Sequence, residues 1–449
     1  MAKKPVITAK EAAAMIPDGA TIMCGGFLAC GQARAIVKEL VARGTKDLTL
    51  IANDMARAVG PKGEEFFGIA ELIHNHQVKR VIATHVGMTP EVGQQNTEGT
   101  LEVNLLPQGT LAECIRAGGA GLGGVLTPVG IDTLVEDSPF CLGRQTIDGK
   151  DYLLMKPIHA DFALLGTYKC DEYGNCWYKG TMRNFNVVMA TAADTVIAET
   201  EYLVPVARER SYLWYVRELH RGRRQKVMEK SEIKGFIAKR CAKELKNGDV
   251  VNLGIGLPTL IPNYLPKDVE LIIHAELGIV SAGATPKEGD ANYDPYHVID
   301  AGGGVASVAY GGGFIDSATN FGLIRGGHVD ACFLGALEVD AQGNLANWII
   351  PGKKMPGMGG AMDLCVGAKH CIVCMEHTAK GNPKIFEKCR LPLTASHCVN
   401  KIITEMCVFE VTDKGLLMTE INPEFTVDQI KEATAAPFEV AVDLKSMLD

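Results

Sequence analysis

Two stretches of this chain share one pattern, HADFALLGTYKCDEYGN at residues 159–175 and HVDACFLGALEVDAQGN at residues 328–344. They align without a gap, and the first histidine, two aspartates, a glycine and the closing Gly-Asn pair coincide. Each stretch has the composition of an apolar strand that ends in a tight turn. A repeated strand-and-turn unit of this kind predicts that the chain contains two related halves.

The similarity extends to the N-terminal side of each copy. Gly25 follows Gly19 by six positions, Gly254 follows Gly248 by the same interval, and an apolar run fills each interval. A helix-like segment precedes both. This order of helix, turn, strand and helix predicts an α/β fold of two similar domains, each a mainly parallel sheet with covering helices.

Composition excludes several classes of function. The 449 residues carry a formal charge of −8, which argues against nucleic acid as the main partner. No run of about 18 apolar residues is present, so we expect no membrane span. The N-terminus lacks the apolar stretch of a signal peptide, and the 14 cysteines have no regular spacing. These features predict reduced thiols and a cytoplasmic location.

One acidic residue has no obvious structural reason. The apolar run ELIIHAE ends in Glu276, about twenty residues after the glycine turn GIGLP at 254–258. The matching strand of the first half, DLTLIAND, carries Asn53 at the corresponding position, so the fold does not require an acid there. A carboxylate at the end of a buried strand is costly unless it is used or paired. We interpret Glu276 as a covalent nucleophile toward a thioester, and a structural ion pair is the alternative.

Other motifs allow competing interpretations. A strand followed by G-x-G also begins a dinucleotide site, but Thr259 stands at the third glycine position and Pro262 interrupts the following helix. Cys371 and Cys374 resemble metal ligands, yet strand alternation places them on opposite faces, so we expect core thiols and no metal site. We also expect three histidines in apolar contexts to be core residues that make structural hydrogen bonds, namely His85, His159 and His328.

The whole chain resembles the family I CoA-transferases, in the 3-oxoacid/acetate branch. TIMCGGFLACG, LLPQGTLAECIRAGGAG and GTMRNFNVVMA resemble the α subunit, and NLGIGLPT, GNLANWIIPGK, GMGGAMDL and LPLTASHCVNKIITEM resemble the β subunit. The two subunits are fused here. We expect an α-like domain at 1–204, a charged connector at 205–230 and a β-like domain at 231–449. Alternatively, the connector contacts a CoA phosphate or another subunit. Two departures concern the site: Leu277 follows the glutamate where the family has asparagine, and residues 306–318 carry an added glycine run.

The resemblance implies an active site between the halves and ping-pong transfer of CoA from an acyl-CoA to a short-chain acid such as acetate, butyrate or acetoacetate. The intermediate would be a thioester between Glu276 and CoA. Oxyanion and acyl contacts are expected from Gln108, Ile255, Gly256, Gly359, Gly360, Gly25, Gly26 and Asn53. CoA contacts are expected from Gly254, Gly256, Pro258, Gly302, Gly303, Gly357, Met358 and Gly359. CoA is a co-substrate, with no permanently bound cofactor, and a homo-oligomer is expected. An acyl-CoA hydrolase and a non-catalytic acyl-CoA sensor are the alternatives.

Overall fold

A computed structural model describes residues 3–205, 230–353 and 355–448. The predicted connector at 205–230 therefore lies almost entirely outside the described residues. Two large sheets form the body of the protein, one built from residues before the connector and one from residues after it. Among the described residues, no helix is both long and apolar enough to cross a membrane.

The first half contains a seven-stranded sheet with helices packed against it. Its helices are α1 (Ala9–Ala14), α2 (Arg34–Arg43), α3 (Ala70–His74), α4 (Pro90–Thr97), α5 (Gln108–Gly119) and α6 (Asn186–Met189). Its strands are β1 (Thr21–Cys24), β2 (Leu48–Ala52), β3 (Arg57–Val59), β4 (Glu65–Phe67), β5 (Val78–Ala83), β6 (Glu102–Leu105), β7 (Val125–Thr127), β8 (Cys141–Ile147), β9 (Lys150–Met155), β10 (Ala160–Asp171), β11 (Cys176–Trp177) and β12 (Ala193–Val204).

The large sheet of the first half has the order β6-β5-β2-β1-β10, with β12 and β11 both paired to β10. Every pairing is parallel except that of β10 with β11. Helix α1 begins with the capping box formed by Thr8 and Glu11, in which each side chain bonds the other residue's N–H. Helix α2 ends at Gly44, whose φ of 72° is a left-handed conformation that glycine adopts without steric cost.

The second half contains a ten-stranded sheet. Its helices are α7 (Lys230–Ala242), α8 (Ser317–Arg325), α9 (Ala361–Gly367) and α10 (Val427–Ala433). Its strands are β13 (Val250–Leu253), β14 (Ile272–Ala275), β15 (Ile279–Ala282), β16 (Val308–Phe314), β17 (Ala331–Leu334), β18 (Glu338–Asp340), β19 (Leu345–Ala346), β20 (His370–Cys374), β21 (Thr378–Ala379), β22 (Asn382–Pro383), β23 (Ile385–Phe386), β24 (Val399–Ile403), β25 (Cys407–Thr412), β26 (Gly415–Ile421) and β27 (Phe438–Ser446). Three 3₁₀ helices complete the described elements, at Leu134–Asp137, Gly180–Arg183 and Leu257–Tyr264.

The predicted repeat is visible in the strand order. In the first half the order β2-β1-β10-β12 is parallel throughout, and β14-β13-β17-β20 is its counterpart in the second half. The two-domain α/β fold with mainly parallel sheets is thus confirmed. Antiparallel strands β15 and β16 flank the second sheet where the parallel strands β5 and β6 flank the first, a difference that the sequence pattern did not predict.

The aligned repeat stretches form the same turn and the same strand contact. Asp171 accepts hydrogen bonds from Asn175, and Asp340 accepts the equivalent bonds from Asn344. At the start of each stretch, an aspartate accepts a backbone N–H from the neighbouring strand, Asp161 from Thr21 and Asp330 from Val250. The two copies therefore share their spacing because each has one aspartate that bonds to the neighbouring strand and a second that closes the turn.

The histidine prediction was wrong for two of the three residues. His159 and His328 are exposed, and His85 is partly buried. The structural hydrogen bond that the two copies share is made by the aspartates two residues after His159 and His328. Both rings lie in loops just before a strand, where a polar ring can stay hydrated, so burial is not required there.

The two domains share part of their hydrophobic interior. Trp348, Met358 and Met362 from the second half are buried in the same cluster as Met23, Ile51 and other residues of the first half. A second cluster joins Leu277 and Ile299 to Phe27, Leu28, Cys30 and Met182. Because apolar side chains of both halves are buried together, the domains are held in a fixed relative position by the hydrophobic effect.

Candidate active site

Glu276 opens a three-residue loop between the antiparallel strands β14 and β15. Ala275 and Ile279 pair across the loop, and the N–H of Gly278 donates to the carbonyl of Ala275 at 3.0 Å. Gly278 has a φ of 111°, and a Cβ at this position would collide with the carbonyl oxygen of Ile315. Glycine is therefore required to close this turn, and the turn fixes the direction of the preceding glutamate.

The packing of Leu277 explains why this chain has leucine where the family usually has asparagine. Its side chain is fully buried and packs with Phe27, Leu28 and Ile299 in the cluster between the two domains. An asparagine with the same orientation would bury an amide among apolar groups, which costs free energy unless both ends are hydrogen-bonded. In this chain the residue after the nucleophile candidate therefore serves the domain interface through packing.

The environment of the Glu276 carboxylate favours the protonated form. Burial raises its pKa to about 7, the N–H of Gly360 opposes this by hydrogen bonding to the carboxylate, and the nearby Asp363 raises the pKa further. A Cβ on Gly360 would lie 2.5 Å from Oε2 of Glu276, so only glycine allows this approach. The backbone carbonyl of Glu276 accepts a 2.6 Å hydrogen bond from the buried side chain of Asn320. Both ends of the residue are thus fixed.

The glycine loop before α9 connects Glu276 to the first domain. The N–H of Gly359 donates to the carbonyl of Thr84 at 3.2 Å, and the N–H of Gln108 donates to the carbonyl of Gly359 at 3.0 Å. Gly357 packs directly on the backbone of Thr84 and leaves no room for a side chain. Two consecutive glycines therefore lie between the side chain of Gln108 and the carboxylate of Glu276.

Gln108 has a free hydrogen-bond donor in a buried position. The residue is 2% exposed, and within the described parts of the chain its Nε2 has no hydrogen-bond partner. Buried amide groups are hydrogen-bonded in most folded proteins, so an unpaired buried donor calls for an explanation. An unpaired donor close to a candidate nucleophile is suited to bind a ligand oxygen.

A buried network of ion pairs fixes the position of Gln108 relative to the glycine loop. Asp363, which is fully buried on α9, accepts the N–H of Gly109 at 3.0 Å and pairs with Arg325 at 3.2 Å. Arg325 also pairs with Glu113 on α5 at 2.7 Å. Burial raises the pKa of Asp363, and Arg325 and the Gly109 N–H oppose that shift. This group connects the helix that begins at Gln108 with the helix that follows the glycine loop.

The glycine turn at 254–258 leaves the backbone open to solvent. Gly256 has a φ of 99°, and no atom of the described residues lies within 4 Å of the point that a Cβ would occupy. Ile255 is 76% exposed, and Pro258 is buried. The turn leads into the 3₁₀ helix Leu257–Tyr264. A dinucleotide motif needs an α-helix at this point, so the structure does not support that alternative. Gly254 has no room for a side chain because the carbonyl of Phe333 lies against it.

The first-half residues predicted near the acyl group are packed tightly. Asn53 lies directly after β2, as Glu276 lies directly after β14, and its Nδ2 donates to the buried Asp54 at 2.7 Å. Gly25 packs against the side chain of Asn186, and Gly26 against Gln32. The absence of side chains on these two glycines is therefore explained by neighbouring protein atoms.

The remaining predicted CoA contacts lie at the domain interface. Gly303 packs against Arg57 and Leu28 of the first domain, and its carbonyl accepts a 2.8 Å hydrogen bond from Arg57. Gly302 belongs to the same turn, where its N–H donates to Asp300. Met358 is only 5% exposed in the shared core, so its side chain packs with protein. These positions stay predictions as ligand contacts.

The cysteines are all free thiols, and all 14 lie within the described residues. Cys371 and Cys374 belong to clusters on opposite sides of the sheet, as strand alternation predicts. Cys371 does meet two other thiols, since its sulfur and those of Cys365 and Cys398 lie within 4.8 Å of one another. This grouping was missed because the three residues come from different elements.

Two residues near Glu276 were also missed by the sequence analysis. Asn320 lies on α8, 44 positions after the glutamate whose carbonyl it binds, and Arg325 lies on the same helix. No local motif relates either residue to the site. Only the motif GMGGAMDL, which contains Asp363, offered a signal for the buried ion pair.

The chain is similar to known proteins over most of its length. The model of the family described as "Coenzyme A transferase" matches residues 6–217 and 236–433. The rat protein "Succinyl-CoA:3-ketoacid coenzyme A transferase 2A, mitochondrial" is 38% identical over 96% of this chain and 89% of its own length. The Escherichia coli K12 protein "Acetate CoA-transferase subunit beta" is 46% identical over 48% of this chain and 97% of its own length.

A solved structure shows the same fold. The apoenzyme of the acyl-CoA transferase YdiF from Escherichia coli O157:H7 superposes with a TM-score of 0.77, covering 99% of this chain and 95% of its own, at 22% identity. At that identity the likeness establishes the architecture alone. The family match, in contrast, spans both halves on either side of the predicted connector. The chain therefore belongs to the coenzyme A transferase family, with the two halves of the family's module joined in one polypeptide.

Proposed function

We propose that this protein transfers CoA from an acyl-CoA to a free carboxylic acid, with Glu276 as the covalent nucleophile. One observation carries the proposal: a glutamate with a raised pKa lies against a glycine loop that joins the two domains and that also contacts Gln108. A structural ion pair would place a basic side chain on this carboxylate, and among the residues that the structure describes the groups that shift the pKa of Glu276 are a backbone N–H and another acid. That environment supports a chemical role.

The reaction would proceed through covalent exchange at Glu276. The carboxylate attacks the thioester carbonyl, the carbon–sulfur bond breaks, and an acyl-glutamyl anhydride and CoA thiolate form. The thiolate then attacks the glutamyl carbonyl, which releases the first acid and leaves a glutamyl-CoA thioester. A second carboxylate attacks that thioester, and the same two steps run in reverse to give the new acyl-CoA.

The raised pKa makes the first step less unfavourable. A glutamate of ordinary pKa, about 4.3, must expel a thiolate whose acid has a pKa of about 8.5, a gap of roughly four units. With the pKa of Glu276 near 7, the gap falls to roughly 1.5 units, or about 2 kcal/mol. Binding energy from the remote parts of CoA would supply the remainder. Part of the enzyme would hold the reactive carboxylate at neutral pH.

Two oxyanions need donors in this sequence of steps, one on the acyl group and one on the glutamyl group. The unpaired Nε2 of Gln108 is the strongest candidate for the acyl oxygen, because it is a buried donor with no other described partner. The N–H of Gly360 already binds the glutamate carboxylate and is positioned to stay on that oxygen as it changes charge. The open backbone around Ile255 and Gly256 is our candidate for contacts with CoA.

For substrates we propose short-chain acyl-CoA donors and short-chain acids. Acetate, butyrate and acetoacetate follow from the sequence resemblance, and succinyl-CoA with a 3-keto acid follows from the name of the rat relative. We further propose a cytoplasmic homo-oligomer, with domain limits at 1–204 and 231–449. The name of the rat relative assigns that protein to mitochondria, so the location of this chain stays a prediction.

The test separates transfer from hydrolysis and from binding alone. Purified protein is given acetyl-CoA or succinyl-CoA with and without a panel of isotopically labelled acids, and both free thiol and new acyl-CoA are measured. Transfer predicts labelled acyl-CoA that depends on the acid, with little free thiol in its absence. Free CoA release that does not need an acid would assign hydrolysis, and binding without either product would contradict catalysis. Gln108→Ala should lower kcat by roughly 10²- to 10³-fold, as loss of one oxyanion donor does.

A further inference from the structure

Two thiols face each other across the hairpin formed by β10 and β11. Cys170 and Cys176 are direct cross-strand partners, and their sulfur atoms are 3.0 Å apart. The N–H of Asp171 donates to the carbonyl of Asn175, so the adjacent Cys170–Cys176 pair occupies a non-hydrogen-bonded position of the ladder. Cα atoms at such positions lie about 4.5 Å apart, within the range that a disulfide bridges without moving the backbone.

The internal repeat shows that the fold does not need thiols here. Aligning the two repeat stretches places Cys170 on Val339 and Cys176 on Leu345. Val339 and Leu345 are themselves cross-strand partners in the second domain, and both are fully buried. An apolar pair therefore satisfies the packing of this hairpin. The thiol pair in the first domain is therefore chemically reactive, whereas the equivalent apolar pair in the second domain is not.

The thiol pair borders a cavity. Both cysteines line this space of about 1030 Å³ between the N-terminal segment and strands β10 and β12, and Cys170 is buried whereas Cys176 is partly exposed. A hydrogen bond from the Cys176 thiol, whose effect exceeds that of burial, lowers the pKa of Cys170. Thr167 also bonds the sulfur of Cys170, at 3.1 Å. A thiolate that a small oxidant can reach is the reactive form of cysteine.

We propose that Cys170 and Cys176 form a modification site at which a peroxide converts the two thiols into a disulfide. The Cys170 thiolate attacks one peroxide oxygen, the O–O bond breaks, and hydroxide leaves to give a sulfenic acid. The sulfur of Cys176 then attacks the sulfur of Cys170, the S–O bond breaks, and a second hydroxide leaves. The thiol protons convert both hydroxides to water. The thiol pair loses two electrons and the peroxide gains them.

The experiment uses the full-length protein and a convenient pair of trypsin sites. Lys169 and Lys179 bracket the peptide CDEYGNCWYK, which contains both cysteines of the pair and no others. The reduced native protein is treated with one equivalent of hydrogen peroxide, unfolded, alkylated and digested without reductant. We expect the 170–179 peptide to lose both alkyl labels and to be lighter by two hydrogen atoms than the dithiol peptide. Reduction before alkylation should restore both labels.

The matched control is the double variant Cys170→Val with Cys176→Leu, which copies the apolar pair of the second domain. It should fold like the parent protein and consume the peroxide more slowly, because it lacks the proposed site. A second control, Cys141→Ser, removes a partly buried thiol elsewhere in the same domain and should leave the reaction unchanged. The proposal is overturned if the 170–179 peptide keeps two alkyl labels under these conditions. It is equally overturned if Cys170 gains two oxygens as a sulfinic acid with Cys176 still free.

Discussion

The substitution Glu276→Gln should stabilise the protein, and by an amount that grows with pH. Burial raises the pKa of Glu276 from an ordinary 4.5 to about 7, so the folded state binds this proton more tightly than the unfolded state does. Ionisation therefore destabilises the folded protein. The loss begins as pH rises past the unfolded pKa and is complete above the folded pKa. The glutamine side chain of the variant keeps the shape of the glutamate and has nothing to ionise.

The magnitude follows from the shift. A change of about 2.5 units at 1.36 kcal/mol per unit gives about 3 kcal/mol. The difference in the free energy of unfolding between the Glu276→Gln variant and the parent should thus increase by about 3 kcal/mol between about pH 4.5 and about pH 8. Urea denaturation at several pH values, followed by tryptophan fluorescence, measures this difference.

A control of opposite sign tests the reasoning. Glu244 is partly buried, as Glu276 is, but its hydrogen bond from Lys401 and the charge of Arg240 outweigh burial and lower its pKa. Glu244→Gln should therefore destabilise the protein above the unfolded pKa of the glutamate, and the deficit should shrink as pH falls through the lower folded value. A pH-independent difference for Glu276→Gln, or one that falls with rising pH, would refute our account of the Glu276 environment.

Three further predictions concern the same site. The kcat/KM of the acyl-CoA half-reaction should fall tenfold per pH unit below about pH 7, because the ionised Glu276 is the nucleophile, as a stopped-flow pH profile can show. Gly360→Ala should lower kcat by roughly 10²-fold, because the added Cβ would displace the carboxylate of Glu276. The control Gly93→Ala adds a Cβ where no described atom lies within 4 Å and should leave kcat unchanged. Initial-rate measurements compare the two variants with the parent. Arg325→Met should cost about 3 kcal/mol in urea denaturation because it leaves the buried Asp363 without its cation, whereas Glu172→Gln, in an exposed pair, should cost under about 1 kcal/mol, and equal losses would contradict the buried-pair argument.

Much of the architecture could be predicted because it depends on local sequence patterns. The repeated Asp-x-x-Gly-Asn turn and the glycine intervals indicated two related domains, and alternation placed Cys371 and Cys374 on opposite faces. The comparison of Asn53 with Glu276 drew attention to an acid at a position where the first half has an amide. Each of these features depends on residues close together in sequence, where turn chemistry and strand periodicity dominate.

The features that sequence could not provide are long-range. The bond from Asn320 to the carbonyl of Glu276 spans 44 positions, and the bond from Gly109 to Asp363 spans 254. The burial of Leu277 between domains, which accounts for its replacement of a polar residue, depends on side chains from both halves. The exposure of His159 and His328 was missed because an apolar sequence context does not reveal which loop lies at the surface.

The proposed function depends on covalent attachment of Glu276 to CoA. Intact and peptide mass spectrometry can detect this attachment after the enzyme is incubated with acyl-CoA in the absence of an acceptor acid and the thioester is reduced with borohydride. We expect an adduct of one CoA per chain before reduction, and a glutamate converted to its alcohol at position 276 afterwards. An unmodified Glu276 in a protein that still exchanges CoA between acids, or an adduct on another residue, would exclude Glu276 as the covalent nucleophile.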